Sequence, residues 1–135
     1  MIESLQWLTL DQVLEINQGE LELNRKEDGL RDKGLLLSAL NRPYNMLNYG
    51  RYADIPALSA IYATGIIQNH PFIDGNKRTG FLASVTFLIL NGFRFEATEK
   101  DAAEIFLKLA NNELDEEMLV HWFRANSSEI LNQDE

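Results

Sequence analysis

Apolar positions recur along this chain mainly at three- and four-residue intervals, the spacing of helix faces. Thr9 and Gln12 fit a capping box, and Val13, Leu14 and Ile16 after them predict a first helix to about Asn17. From Gly19 to Gly34 charges dominate and the pattern lapses into a loop. Asp32 is placed to cap a second helix carrying Leu35, Leu36, Leu37 and Leu40, which Pro43 ends or replaces with another turn. Asp54, with Pro56 in the first turn, opens a helix through Leu58, Ile61, Tyr62 and Ile66. Phe81, Leu82, Val85, Leu88 and Ile89 are apolar around much of the next helix, 76–91, which stops near Asn91-Gly92. Phe93, Arg94 and Phe95 alternate as a short extended piece. Thr98 starts a helix with Ala102, Ile105, Phe106 and Leu109 inward, and Asp115 caps the last one. There Leu114 and Leu119 suit a hydrophobic staple, Glu116 and Glu117 complement the dipole, and Met118, Trp122 and Phe123 are expected to pack inward. The pattern predicts an all-α bundle of six or seven helices around the 76–91 helix, one domain over 1–125, with a frayed acidic tail over 126–135.

Composition adds exclusions. The 135 residues are 45% hydrophobic and 24% charged, ordinary for a globular domain. No cysteine is present, which removes disulfides, thiolate nucleophiles and Cys-ligated metals. Formal net charge is −9, and residues 96–135 hold eleven acids against Lys100, Lys108 and Arg124. The rest is therefore near neutral. That balance opposes binding to nucleic-acid phosphates or an anionic membrane, and the acidic stretch reads as a solvated face. MIESLQWLTL has an acid at Glu3 and no basic region, unlike a secretory signal. The apolar run Phe81–Leu90 is too short to span a bilayer. A cytoplasmic location is expected.

The chemistry is concentrated in HPFIDGNKRTGF, residues 70–81, between two apolar helices. His70 offers an imidazole, a side chain that can be neutral near pH 7 and can take a proton from an attacking hydroxyl. Asp74 offers a carboxylate oxygen for Mg²⁺, which keeps several waters and bridges phosphates. Gly75 and Asn76 open the following helix, so its unpaired N–H groups and positive dipole end face the loop, an anion site. Lys77 and Arg78 in the first turn oppose the dipole unless an anion is bound there. Each residue has a plainer reading: His70 as a helix end, Phe72 as an apolar anchor, Asn76 as an N-cap, Asp74 and Arg78 as a surface pair worth under ~1 kcal/mol. Base, carboxylate, glycine, cap and two cations within nine residues favour the joint reading, a site for transfer of a phosphorus-containing group.

HPFIDGNKRTG resembles the signature of the Fic/Doc family, and its Lys-Arg-Thr ending resembles the death-on-curing (Doc) branch, toxins of toxin–antitoxin pairs. The wider family pattern is His-x-Phe-x-Asp/Glu-Gly-Asn-Gly-Arg-x-x-Arg; here Lys77 replaces the second glycine and Phe81 the final arginine. In the Fic branch that glycine and arginine serve AMP transfer. The Doc branch shares both changes and turns the nucleotide round, passing the γ-phosphate of ATP to a threonine of translation elongation factor Tu. The resemblance implies His70 as general base, Phe72 as motif anchor, Asp74 as Mg²⁺ ligand, and Gly75, Asn76, Lys77 and Arg78 as the phosphate cradle. Mg²⁺ and ATP follow as cofactor and co-substrate.

In the family, the region corresponding to NRPYNMLNYGRYA, residues 41–53, forms a flap that docks the protein target in extended form, which makes Tyr49, Gly50 and Arg51 candidates for docking. Read from its residues alone, the stretch is equally a connecting loop whose tyrosines cover the core. Many Fic proteins carry an inhibitory Ser/Thr-x-x-x-Glu helix. No serine or threonine here has a glutamate four residues on, so the chain resembles the class restrained by a separate antitoxin. GNKRTG is followed by Phe-Leu and is not a Walker A loop. Besides the kinase, a Fic-like AMP transferase and a non-catalytic nucleotide-binding protein fit the same loop.

Overall fold

The structure, a computed structural model, describes residues 5–19 and 21–130. These form α1 (Leu10–Gln18), α2 (Lys33–Asn48), α3 (Ile55–Asn69), α4 (Asn76–Leu90), β1 (Phe93–Phe95), α5 (Glu99–Ala110), α6 (Glu116–Ala125) and β2 (Ser127–Glu129), with a 3-10 turn at Lys26–Gly29. The all-α class expected from the periodicity holds, the two short strands being its only sheet among the described residues.

Helix starts follow local chemistry. Thr9 and Gln12 make the reciprocal capping box, and Asp32, Asp54, Thr98 and Asp115 each accept the backbone N–H three residues on. Each such cap contributes about 1 kcal/mol. The N-terminal segment is fastened by longer reaches: Trp7 stacks on Phe87 at 5.8 Å and the Leu8 N–H donates to the Tyr62 hydroxyl at 3.1 Å.

The helix at the centre is α3 rather than 76–91. Every residue from Ile55 to Ile66 is buried, and α2, α4 and α6 all pack on it. Ala57, Ser59, Ala60, Ala63 and Gly65 give α3 small side chains on several faces, so neighbours approach closely. A Cβ on Gly65 would lie 3.2 Å from that of Ala39, and one on Gly80 of α4 would lie 2.9 Å from Ile67 Cγ1. Helix α4 instead carries Ile89 and Leu90 outward, 57% and 43% exposed. Apolarity around a helix did not by itself identify the central one.

Three further expectations are corrected. Pro43 neither ends α2 nor restarts it; the helix runs on to Asn48 because Leu36, Ala39, Leu40, Pro43 and Leu47 form one buried stripe that outweighs the missing N–H. Met118 is 51% exposed, since the inward stripe of α6 is Leu119, Val120 and Phe123. The chain does not fray at Asn126: Ser127–Glu129 pair antiparallel with Phe95–Phe93, and the Asn126 carbonyl accepts the Glu96 N–H at 2.7 Å. Two strands meeting across the α5–α6 excursion were invisible to local pattern. Residues 131–135 of the expected tail, and 1–4 of the N-terminal segment, lie outside the described residues. No helix among the described residues is long and apolar enough to cross a membrane.

Candidate active site

The motif occupies the turn from α3 to α4. His70 caps the C-terminus of α3 in the left-handed conformation (φ 51°, ψ 54°) and is exposed. Phe72 is fully buried and fixes the loop from beneath. The Asn76 side chain grips the Phe72 backbone in both directions, accepting its N–H at 3.0 Å and donating to its carbonyl at 2.9 Å. Asn76 is therefore a buried lock on the loop, and only its backbone N–H remains for a cradle.

Gly75 stands before α4 with φ 76°, a conformation a side chain would strain. Asp74 is exposed, and one carboxylate oxygen accepts the Gly75 N–H at 2.8 Å. Helix α4 is the exception to the capping rule: among the six described α-helices it alone has no side-chain cap, and its first turn contains no acid. Lys77 and Arg78 stand there instead. The start of α4 thus has no side-chain acceptor for its first N–H groups and carries cations instead, an arrangement stabilised by a bound anion.

Two side chains hold this turn: Asn17, which the sequence offered only as a helix end, and Arg78, which it placed in the phosphate cradle. Asn17, at the end of α1, is fully buried and its amide donates to the Asp74 carbonyl and to Thr79 Oγ1, both at 3.0 Å. Its signal was a polar residue on the apolar face shared with Val13 and Leu14. Arg78 reaches the other way, donating to the carbonyls of Ile16 and Asn17 at 3.3 and 2.7 Å. Of the two cations, Arg78 is anchored to α1 while Lys77 is exposed and has no ion pair among the described residues.

His70, Ile73, Asp74, Gly75, Asn76, Lys77 and Arg78 line one cleft of about 400 Å³, closed by Ile67 and Ala110. A second, more apolar cavity of about 220 Å³ adjoins it, sharing Lys77 and Arg78 and bounded by Phe81, Glu99 and Phe106. Phe81 packs edge-on to Phe106 at 5.0 Å and Phe95 at 5.8 Å. Position 81 thus belongs to an aromatic cluster. No group of three metal-ligating side chains occurs among the described residues. The one exposed carboxylate of the motif, Asp74, is of the type that would hold Mg²⁺, an ion that takes most of its other ligands from water and phosphate.

Tyr49, Gly50 and Arg51 do not cover this cleft. They follow α2 and precede α3, whereas His70 ends α3; fifteen helical residues at 1.5 Å each separate them by roughly 22 Å. Residues 41–48, the first part of the expected flap, are the last turns of α2. The segment that does meet the motif is 29–32, read from sequence as charged loop ending in the cap Asp32. Ile73 N–H donates to the Gly29 carbonyl at 2.9 Å, and the Arg31 and Asp32 N–H groups donate to the Pro71 carbonyl at 2.7 and 3.0 Å. Leu30 forms an antiparallel bridge with Phe72. Gly29 permits the approach, because a Cβ there would lie 2.6 Å from Asn17 Oδ1.

With this geometry in view, the comparisons are decisive for family. The Fic/DOC family model matches residues 7–88, more than half of the chain and all of the cleft except Ala110. The chain belongs to the Fic/DOC family. It is also similar to Toxin Doc of Mycolicibacterium smegmatis (strain ATCC 700084 / mc(2)155), 39% identical over 80 residues, which is 56% of this chain and 59% of that protein. The chain therefore spans under two thirds of the length of that relative. The matched family region includes α1, which supplies Asn17, and the 29–32 segment as well as the motif.

Proposed function

We propose that this protein is a Doc-like toxin that transfers the γ-phosphate of ATP to a threonine hydroxyl of a protein target, elongation factor Tu in the reading the motif supports. The observation that carries it is the start of α4: an uncapped helix N-terminus with Lys77 beside it, opening on the same cleft as His70 and Asp74. The His70 imidazole takes the proton of the attacking hydroxyl. The hydroxyl oxygen bonds to the γ-phosphorus as the bond from that phosphorus to the β–γ bridging oxygen breaks, and ADP leaves with the electron pair. The α4 N–H groups and Lys77 stabilise the charge on the phosphates, and Asp74 would hold Mg²⁺, which supplies further charge neutralisation.

Phe81 supports phosphate over AMP transfer, since its ring lies in the aromatic cluster where the wider family's pattern has its last arginine. A separate antitoxin is part of the same proposal; expression of the chain alone would then arrest growth, and co-expression of its partner would relieve the arrest.

The test incubates the protein with Mg²⁺ and elongation factor Tu, in parallel with ATP labelled at the γ- and at the α-phosphate. γ-Label on the factor, reduced about 10²–10⁴-fold in His70→Ala with nucleotide binding retained, is expected. α-Label alone would replace the kinase reading with AMP transfer. No label from either would remove elongation factor Tu as the target, and bound nucleotide with no label in a whole-lysate repeat would make the chain a binding protein.

A further inference from the structure

We propose that Arg31 is a positioning residue for His70, holding the base from 39 positions away by gripping the backbone on either side of it. The base's role rests on the phosphoryl-transfer reading above; the grip itself rests on geometry. The Arg31 Nε donates to the His70 carbonyl at 2.7 Å and its second guanidinium nitrogen donates to the Asn69 carbonyl at 3.1 Å. Its backbone N–H donates to the Pro71 carbonyl at 2.7 Å. One residue thus holds three successive carbonyls, those of 69, 70 and 71.

That grip answers two local needs. A histidine at φ 51° is strained and persists only where neighbours over-determine it. The last carbonyls of a helix also lack intrahelical partners and carry the negative end of its dipole, yet α3 has no basic residue in its own last turn. Arg31 supplies the cation from another segment. Its planar fork reaches adjacent carbonyls at once, which a lysine ammonium does not reproduce. The same stretch is clamped from α2, where the Leu35 carbonyl accepts the Asn69 side-chain amide at 2.9 Å. Among the described residues the Arg31 side chain hydrogen-bonds only to backbone carbonyls, so it acts through the placement of His70 and not on the reacting atoms. It is exposed, so its removal opens no cavity in the core.

The chain has two histidines, His70 and His121, so selective ¹⁵N-histidine labelling yields two backbone amide signals, assigned with His70→Ala. In Arg31→Ala the His70 signal is expected to shift or broaden while that of His121 stays, with Arg31→Lys intermediate. In the γ-phosphate assay Arg31→Ala is expected to lower kcat roughly 10–100-fold with the KM for ATP changed less than about twofold. An unmoved His70 signal, an unchanged kcat, or a loss confined to KM would overturn the proposal. Should the wild type transfer no phosphate, the functional reading fails and the His70 signal alone decides the positioning role.

Discussion

Two polar regions meet α3, one along its side and start and one at its C-terminal turn, and they use polarity in opposite ways. In the first the side chains satisfy one another: Arg42 of α2 forms a forked ion pair with Glu116 of α6, Thr64 on the flank of α3 donates to the same carboxylate, and at the helix start Arg124 pairs with Asp54 at 2.8 Å. At its C-terminal end the side chains of Asn17, Arg31, Asn76 and Arg78 go mainly to backbone carbonyls and N–H groups. There the chain is fixed while His70, Asp74 and Lys77 stay exposed in the cleft. Side chains paired with each other hold helices together; side chains bonded to backbone hold a loop and leave neighbouring groups available for a ligand.

The largest expected effect that sharpens this contrast is Phe72→Ala. It empties a fully buried site beneath the motif and should cost about 3–5 kcal/mol, read as a lowered denaturation midpoint together with lost transfer. His70→Ala, two residues away and exposed, should leave that midpoint unchanged.

Next comes the Arg42–Glu116 pair. Burial pushes the Glu116 carboxyl up, but hydrogen bonds from Arg42 and Thr64 outweigh it and hold the group below its usual value of 4.5. A carboxyl whose folded pKa is depressed stabilises the fold above its unfolded pKa and loses that contribution as pH falls through the folded one. Arg42→Ala leaves the half-buried carboxylate without its cation and should cost about 2–3 kcal/mol near neutral pH. In thermal melts the gap between wild type and variant should narrow as pH drops below 4.5. A gap constant with pH would show that Arg42 acts by packing alone.

Arg124→Ala should cost less, under ~1 kcal/mol, because both side chains of its pair are 41% exposed and water screens them. The hydrogen bond from Arg124 is the main cause that holds the Asp54 carboxyl below its usual value, so this smaller loss should likewise fade in acid. Smallest of all is Tyr49→Ala, at a residue 84% exposed: stability within about 0.5 kcal/mol of wild type, and γ-phosphate transfer unaltered. A strong loss of transfer there would restore a docking role to the 49–51 turn despite its distance from His70.

Helix existence and helix starts were legible in the sequence because a cap and the periodic face behind it are local. Thr9, Asp32, Asp54, Thr98 and Asp115 needed only the three residues after them. The motif was legible for the same reason, its base, carboxylate and cations lying within nine residues. What failed involved partners remote in sequence. Position 17 meets position 74, position 31 meets position 70, and position 95 meets position 127. None has a local signature beyond a polar residue on an apolar face or a glycine in a charged loop.

By itself, then, the sequence determined an all-α class, the order of the helices and the chemical inventory of the 70–78 turn, since all three follow from interactions spanning a few residues. Only tertiary structure decided that α3 is central, that Asn76 and Arg78 serve the loop, and that residues 29–32 rather than 49–51 lie against the motif. Those outcomes depend on which distant segments are brought within about 3 Å of one another, and hydrogen bonds at that range are set by packing of the whole chain.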